Sequence, residues 1–449
     1  MYLFTIYNNK TGCSSLDGFF YEHGPWVLSD DGKTLSVREY RWNRLANMLY
    51  IEAPAGVGFS YSDTKSYQHT DESSAFDNRD AVENFFEKFP EYKSNPFYIT
   101  GESYAGIYVP MLARAILLAE DAGTYTGAKL LGIGVGNGCT GTEIGVCGYY
   151  NSNLCRGLYL QFEYILNLAF TNPDLKAAIT EACDWEKCVQ PTAQLSVLSN
   201  QCMQLLDEVS YELGDINIYN VYGRCTFNVC DGPDANEVVT RVGPAKQMKR
   251  QRQLSTYDPT YDQINNRLAP KKTTTTTTTT TTGTSNLHSS SLVDTTDDDE
   301  SFEKFYDYGP AGCMDSYAAT TYLTNPEVQK AIHVHALDYC WAICNQAKGF
   351  KYKSTQKNLP RDVYPTLISR LRVLIFNGDF DACVPYTDNQ LWTEEMNFEP
   401  IKPWHPWAFT DDKNTTQIGG YSVKYNVTSL GLGSFEFRTV RGNHFDTIQ

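Results

Sequence analysis

The spacing of apolar residues divides the chain into three stretches. Up to about residue 141, short apolar runs at 48–52, 97–100 and 130–135 alternate with segments of helical periodicity such as Phe76 to Phe89. This alternation predicts a mostly parallel sheet with helices on both faces. From about 142 to 345 the alternation breaks, and a cysteine-rich, helix-prone insertion is expected to form a cap over the sheet. Strand–helix alternation resumes near Asp362 to Trp392, so 346–449 is expected to complete the core begun by 1–141.

One part of the insertion lacks the apolar residues that would offset the entropy of ordering it. It carries Lys249-Arg250-Gln251-Arg252, a threonine run from Thr273 to Thr282, Ser289-Ser290-Ser291 and Asp297-Asp298-Asp299-Glu300. Residues of about 243–303 are therefore expected to be a disordered surface loop. Its basic cluster has two readings, a proteolytic processing site and an ordinary solvated charge run, and the second is the commoner.

Composition narrows the classes. With 449 residues and 41% hydrophobic content the chain can bury one large core plus an insertion. A formal charge of −16 and a pI of about 4.9 disfavour nucleic acid as a partner. No apolar run approaches the roughly 20 residues of a membrane span. Seven of the thirteen cysteines lie between Cys147 and Cys230. Cys225 with Cys230, and Cys340 with Cys344, could mimic metal-ligand pairs but lack companions at zinc spacing, so neither a metal nor a cofactor is expected. Disulfides are the better assignment, with at least one thiol left over because the total is odd. Sequons begin at Asn9, Asn414 and Asn426.

The chemistry starts at Gly101-Glu102-Ser103-Tyr104-Ala105-Gly106, between the predicted strand Pro96 to Thr100 and a predicted helix from about Ala105 to Ala119. A serine on a sharp strand-to-helix turn is an exposed nucleophile, and the first helical N–H groups face any oxyanion formed beside it. Alone, this turn is a weak signal. Two further segments strengthen it: Phe376-Asn377-Gly378-Asp379-Phe380-Asp381, following the apolar strand Val373 to Phe376, and Val440-Arg441-Gly442-Asn443-His444 near the C-terminus. Nucleophile, acid and base then follow the chain order of α/β-hydrolases. Asp379 competes with Asp381 for the acid. Asp381 is preferred because hydrolase acids commonly sit three residues past the strand-end glycine. His333 and His335, in an apolar segment, and His405, between Trp404 and Trp407, are expected to be structural.

These segments resemble the serine carboxypeptidases. The likeness runs through Gly12-Cys13-Ser14-Ser15-Leu16-Asp17-Gly18 with Glu22 and Gly24-Pro25, Ile51-Glu52-Ala53-Pro54-Ala55-Gly56, the Phe85 to Pro110 region and Gly134-Val135-Gly136-Asn137-Gly138. It continues in Asn325-Pro326-Glu327-Val328 and in Trp341 with Cys344. The resemblance implies an α/β-hydrolase fold, Ser103, Asp381 and His444 as catalytic residues, and oxyanion donors at Tyr104 and in the loop at Lys10. It also implies Asn8, Glu22 and Glu102 as the site for the substrate's C-terminal carboxylate, and a Cys13–Cys344 disulfide. Two carboxyls side by side hold one proton between them, and a protonated one can donate to the substrate carboxylate, which suits acid pH.

The implied function is release of C-terminal residues from peptides in a lysosomal, vacuolar or secreted setting, with a homodimer compatible. Acyl transfer within the same family and an inactive relative acting as a binding or stabilising protein are the alternatives. The chain departs from the family pattern at Ile6-Tyr7-Asn8-Asn9-Lys10-Thr11-Gly12-Cys13, where the family has Gly-Gly-Pro-Gly-Cys. It departs again at Gly442-Asn443-His444-Phe445-Asp446, which lacks the Met-Val-Pro that follows the family's histidine. Both lie at chain ends, and missing terminal segments are the expectation there.

Overall fold

The computed structural model describes residues 2–3, 13–214, 216–223, 317–337, 340–344, 349–411, 413–431 and 433–442. The basic cluster and threonine-rich loop, Cys225 and Cys230, and the site residues Asn8, Lys10 and His444 lie outside the described residues.

Eight strands form one sheet: β1 (Tyr2–Leu3), β2 (Met48–Leu49), β3 (Phe97–Glu102), β4 (Leu130–Gly136), β5 (Arg372–Gly378), β6 (Pro400–Thr410), β7 (Thr416–Tyr425) and β8 (Ser434–Val440). Their order is β6-β7-β8-β5-β4-β3-β1-β2. The pairings from β8 through β5, β4, β3 and β1 to β2 are parallel, and β6–β7 and β7–β8 are antiparallel. The sheet is thus mixed, with an antiparallel edge on a parallel centre. β6 carries Pro400, Pro403 and Pro406, which an edge strand tolerates because one side of its backbone needs no ladder partner.

The central strands are apolar because both faces are covered. Phe97 and Ile99 on β3, Ile133 and Val135 on β4, and Val373 and Ile375 on β5 are all buried. Helix α1 (Asp71–Lys88) starts five residues earlier than its apolar periodicity suggests, because Thr70 caps it reciprocally with Ser73 while the polar first turn contributes nothing to the apolar pattern. Helix α2 (Ala105–Asp121) follows β3 and is buried along nearly its whole length. In the insertion, α3 (Gly145–Ser152) and α4 (Cys155–Leu166) precede α5 (Pro173–Ala182) and α6 (Asn200–Leu213). Disulfides Cys139–Cys147, Cys155–Cys188 and Cys183–Cys202 staple this region. No described helix is long and apolar enough to cross a membrane.

Candidate active site

Strand β3 ends at Glu102, and the chain reverses through Ser103, which is buried with φ +59°. This left-handed conformation costs a non-glycine residue about 1–2 kcal/mol, and neighbouring backbone groups hold it. The Ser103 N–H donates to the Gly136 carbonyl at 3.0 Å, while its own carbonyl accepts from Gly106 N at 2.9 Å and Cys139 N at 3.0 Å. Tyr104 is the cap residue of α2, at the end of the helix whose partial positive charge suits an oxyanion. Its hydroxyl donates to Asp71 Oδ1 at 2.9 Å and lies 2.7 Å from Ser354 Oγ. Asp71 also accepts from Tyr352 and from the Thr355 and Gln356 amides, so one buried carboxylate fixes the side chain beside Ser103.

Gly106 is where α2 meets the loop after β4. A Cβ there would lie 2.2 Å from the Cys139 carbonyl oxygen and 2.5 Å from Cys139 N. Gly106→Ala is expected to destabilise the fold by about 1–3 kcal/mol through overpacking against backbone. By displacing the turn about 1 Å, it should also lower turnover roughly a hundredfold. Denaturation midpoints and initial rates on the same preparation check both effects.

Asp381 lies three residues beyond the end of β5 and is buried. Its carboxylate accepts from Cys383 N at 2.7 Å, Val384 N at 3.2 Å and the Asn137 side-chain amide at 2.9 Å. Asp379 plays a different part. Its Oδ1 accepts from Gly442 N at 3.0 Å, its own N–H donates to the Val440 carbonyl at 3.0 Å, and Phe380 N donates to Gly442 O at 2.9 Å. Asp379 therefore ties the turn that carries Asp381 to the end of β8, two residues before His444.

Glu102, at the end of β3, and Glu22 are both buried. Burial, then the charge of Glu22 and a hydrogen bond with it, and then the charges of Asp381 and Asp17 hold the Glu102 carboxyl well above the usual range. The pair consequently keeps a proton. Asp17 is buried too, and desolvation pushes its carboxyl up to about 8. His23 Nε2 lies 3.5 Å from Glu22 Oε2. This contact is not an ion pair, because burial and the nearby Arg38 push the imidazole down to about 3. The neutral ring stacks on Trp42 at 4.2 Å, and its Nδ1 is 3.0 Å from the Tyr50 hydroxyl.

Cys13 and Cys344 are joined, and Ser14 N donates to the Ile343 carbonyl at 2.7 Å. The Ser14 hydroxyl donates to Glu52, which also accepts from Phe59 N at 2.8 Å; burial nevertheless pushes the Glu52 carboxyl up to about 7. Cys383, buried and bonded through its N–H to Asp381, remains a thiol. His333 and His335 are exposed, and His335 lies edge-on to Tyr61.

Sequence reasoning brought Ser103, Asp381, Glu22 and Glu102 forward, and the structure gathers them around one turn. It did not single out Asn137, Asp17, His23 or Asp71. Two of these lie inside quoted motifs, Asn137 between Gly134 and Gly138 and Asp17 between Cys13 and Gly18, which was the available signal.

Residues 11–445 match the family described as serine carboxypeptidase. The chain is 30% identical over 419 residues to the lysosomal protective protein of Mus musculus, spanning 92% of this chain and 75% of that one. It is 30% identical over 440 residues to serine carboxypeptidase-like 40 of Arabidopsis thaliana, spanning 97% and 68%. In fold it is similar to the crystal structure of Kex1(delta)p, a prohormone-processing carboxypeptidase from Saccharomyces cerevisiae. The TM-score is 0.60 at 19% identity, over all of this chain and 79% of that one. With a family match over nearly its whole length and relatives of this identity, the chain belongs to the serine carboxypeptidase family and has the α/β-hydrolase fold.

Proposed function

We propose that this chain is a serine-type carboxypeptidase that releases C-terminal residues from peptides and proteins at acid pH. The observation that carries the reading is a strained serine turn directly following one member of a buried, proton-sharing carboxyl pair, with Ser103 at φ +59° and Glu102 held well above its usual range by burial and Glu22. In this reading Ser103 Oγ attacks the scissile carbonyl while His444 takes its proton. Asp381 orients the imidazole and stabilises its cation. The Tyr104 amide and a backbone N–H at Lys10 receive the oxyanion. The imidazolium returns the proton to the leaving amine, and water then hydrolyses the acyl-enzyme by the same route. Asn8, Glu22 and Glu102 hold the substrate's terminal carboxylate, for which a protonated carboxyl is the donor. Roles for Asn8, Lys10 and His444 rest on their positions in the family motifs.

The reading extends to an oxidising compartment, lysosomal, vacuolar or secreted. Four disulfides among the described residues suit such a setting, and one relative is named as lysosomal.

The test compares an N-blocked dipeptide with its C-terminal amide at about pH 5, where a shared proton is retained. The free acid is expected to be cleaved with kcat/KM on the order of 10²-fold or more above the amide, because the amide leaves buried polar groups unpaired. Equal rates would remove carboxylate recognition from the site. Transfer of the acyl group to an alcohol in preference to water would make the chain an acyltransferase. Failure of a fluorophosphonate to label Ser103 would make it an inactive relative.

A further inference from the structure

Asn137 follows directly after β4, in the left-handed region at φ +37°, and is completely buried. An asparagine tolerates that conformation better than most residues because its short polar side chain bonds locally. Here the side chain reaches another segment instead. Its Nδ2 donates to Asp381 Oδ2 at 2.9 Å and to the Val384 carbonyl at 3.1 Å, and lies 3.4 Å from the Gly378 carbonyl. Its Oδ1 accepts from Gly378 N at 2.9 Å, and its backbone N–H donates to the Phe376 carbonyl at 2.9 Å. The residue before it, Gly136, accepts the N–H of Ser103. One two-residue turn therefore holds the nucleophile's backbone on one side and the acid's carboxylate on the other.

We propose that Asn137 is a positioning residue for the reaction, orienting the Asp381 carboxylate. This inference rests on the reading of Asp381 as the catalytic acid. Cys383 N and Val384 N also donate to Asp381, but they belong to its own turn and move with it. Asn137 instead refers the carboxylate to the strand carrying the nucleophile's support. Among the described residues, Glu102 on β3, Tyr164 on α4 and Tyr219 are titratable groups that face Asp381. None of these three is a cation, and Asn137 meets the carboxylate as an uncharged donor.

The experiment compares wild type, Asp381→Ala, Asn137→Ala and Asn137→Asp for kcat, KM and their pH dependence on an N-blocked dipeptide, with thermal denaturation of each. Asn137→Ala is expected to lose about a hundredfold, the scale of a 1 Å displacement of a catalytic group, mainly in kcat. Asn137→Asp is nearly isosteric and keeps the acceptor for Gly378 N. In that variant the introduced carboxyl and Asp381 titrate as a pair. Between the pair's two pKa values one proton bridges the two carboxyls and activity is retained. As pH rises through that value the pair becomes a dianion, and kcat is expected to collapse. A purely structural role would give no such alkaline loss.

Wild-type kinetics in both Asn137 variants beside an inactive Asp381→Ala would overturn the inference alone. A pH-independent loss that merely follows denaturation, or failure of both variants to fold, would also overturn it by assigning Asn137 to stability. A fully active Asp381→Ala would overturn the underlying assignment, and the inference with it.

Discussion

Replacing Ser103 by alanine is expected to lower kcat by about 10⁶ while leaving KM nearly unchanged, the scale seen when a triad nucleophile is removed. The expectation follows from the turn's construction. Ser103 sits where β3 gives way to α2, with its backbone bonded on both sides to Gly136, Gly106 and Cys139, so alanine removes Oγ without disturbing the frame. Stability gives a second, independent readout. The Ser103 φ of +59° is strained for any residue with a Cβ, so Ser103→Ala keeps the strain while Ser103→Gly relieves it. Ser103→Gly should be as inactive as Ser103→Ala and more stable by about 1 kcal/mol. Steady-state kinetics and denaturation midpoints on the two variants check the pair of statements. Appreciable turnover by Ser103→Ala would remove Ser103 from the chemistry, and a destabilised Ser103→Gly would show that the turn stores no strain.

Raising the pH from mildly acidic to mildly alkaline is expected to weaken both the fold and substrate binding. Burial raises the folded-state carboxyls of Asp17 to about 8, Glu52 to about 7 and Asp388 to about 6, and that of Glu102 as well. Unfolded, the same groups ionise near pH 4. Between those limits the folded chain holds protons the unfolded chain has released, so stability falls as pH rises, by up to about 1.4 kcal/mol per pH unit for each such proton. His23 opposes this. Its folded value is pushed down to about 3, so its contribution is complete above its unfolded value of about 6.5 and is lost as pH falls. Four carboxyls outweigh one imidazole, and the melting temperature should peak at about pH 4–5 and decline steadily above it. A scan of melting temperature against pH checks this, and Asp17→Asn should flatten the decline by one proton's worth. A melting temperature that climbs towards neutrality would show that these carboxyls are ionised in the fold. In kinetics, if Glu22 and Glu102 hold the substrate's terminal carboxylate as proposed, loss of their shared proton turns a hydrogen-bond donor into a second negative charge beside it. KM for free-acid peptides should therefore rise with pH, while KM for the corresponding amides, which carry no such charge, should rise less.

Much of the site could be read before folding because its signals are local. The apolar runs that become β3, β4 and β5, the small residues flanking Ser103 and the aspartates after Gly378 each declare themselves within a few positions. Turn chemistry and side-chain period act over that range. The motifs that place the chain among the serine carboxypeptidases are likewise short.

The relations between those motifs were not local, and only the tertiary structure decided them. Asn137 and Asp381 are 244 residues apart, and nothing in their spacing shows that one amide holds the other's carboxylate. Sequence order left Asp379 and Asp381 in competition, and their separate bonding became visible only when β8 paired with β5 and brought Gly442 to Asp379. The proline-bearing β6 is a strand because it occupies an edge, which is a property of the sheet. The raised carboxyls of Asp17, Glu52 and Glu102 depend on how completely every surrounding segment excludes water. Sequence by itself determined the local conformations and the inventory of reactive groups, because neighbours along the chain dictate these; the fold decided which groups meet and how strongly they hold their protons, because contact and desolvation are sums over residues far apart in the chain.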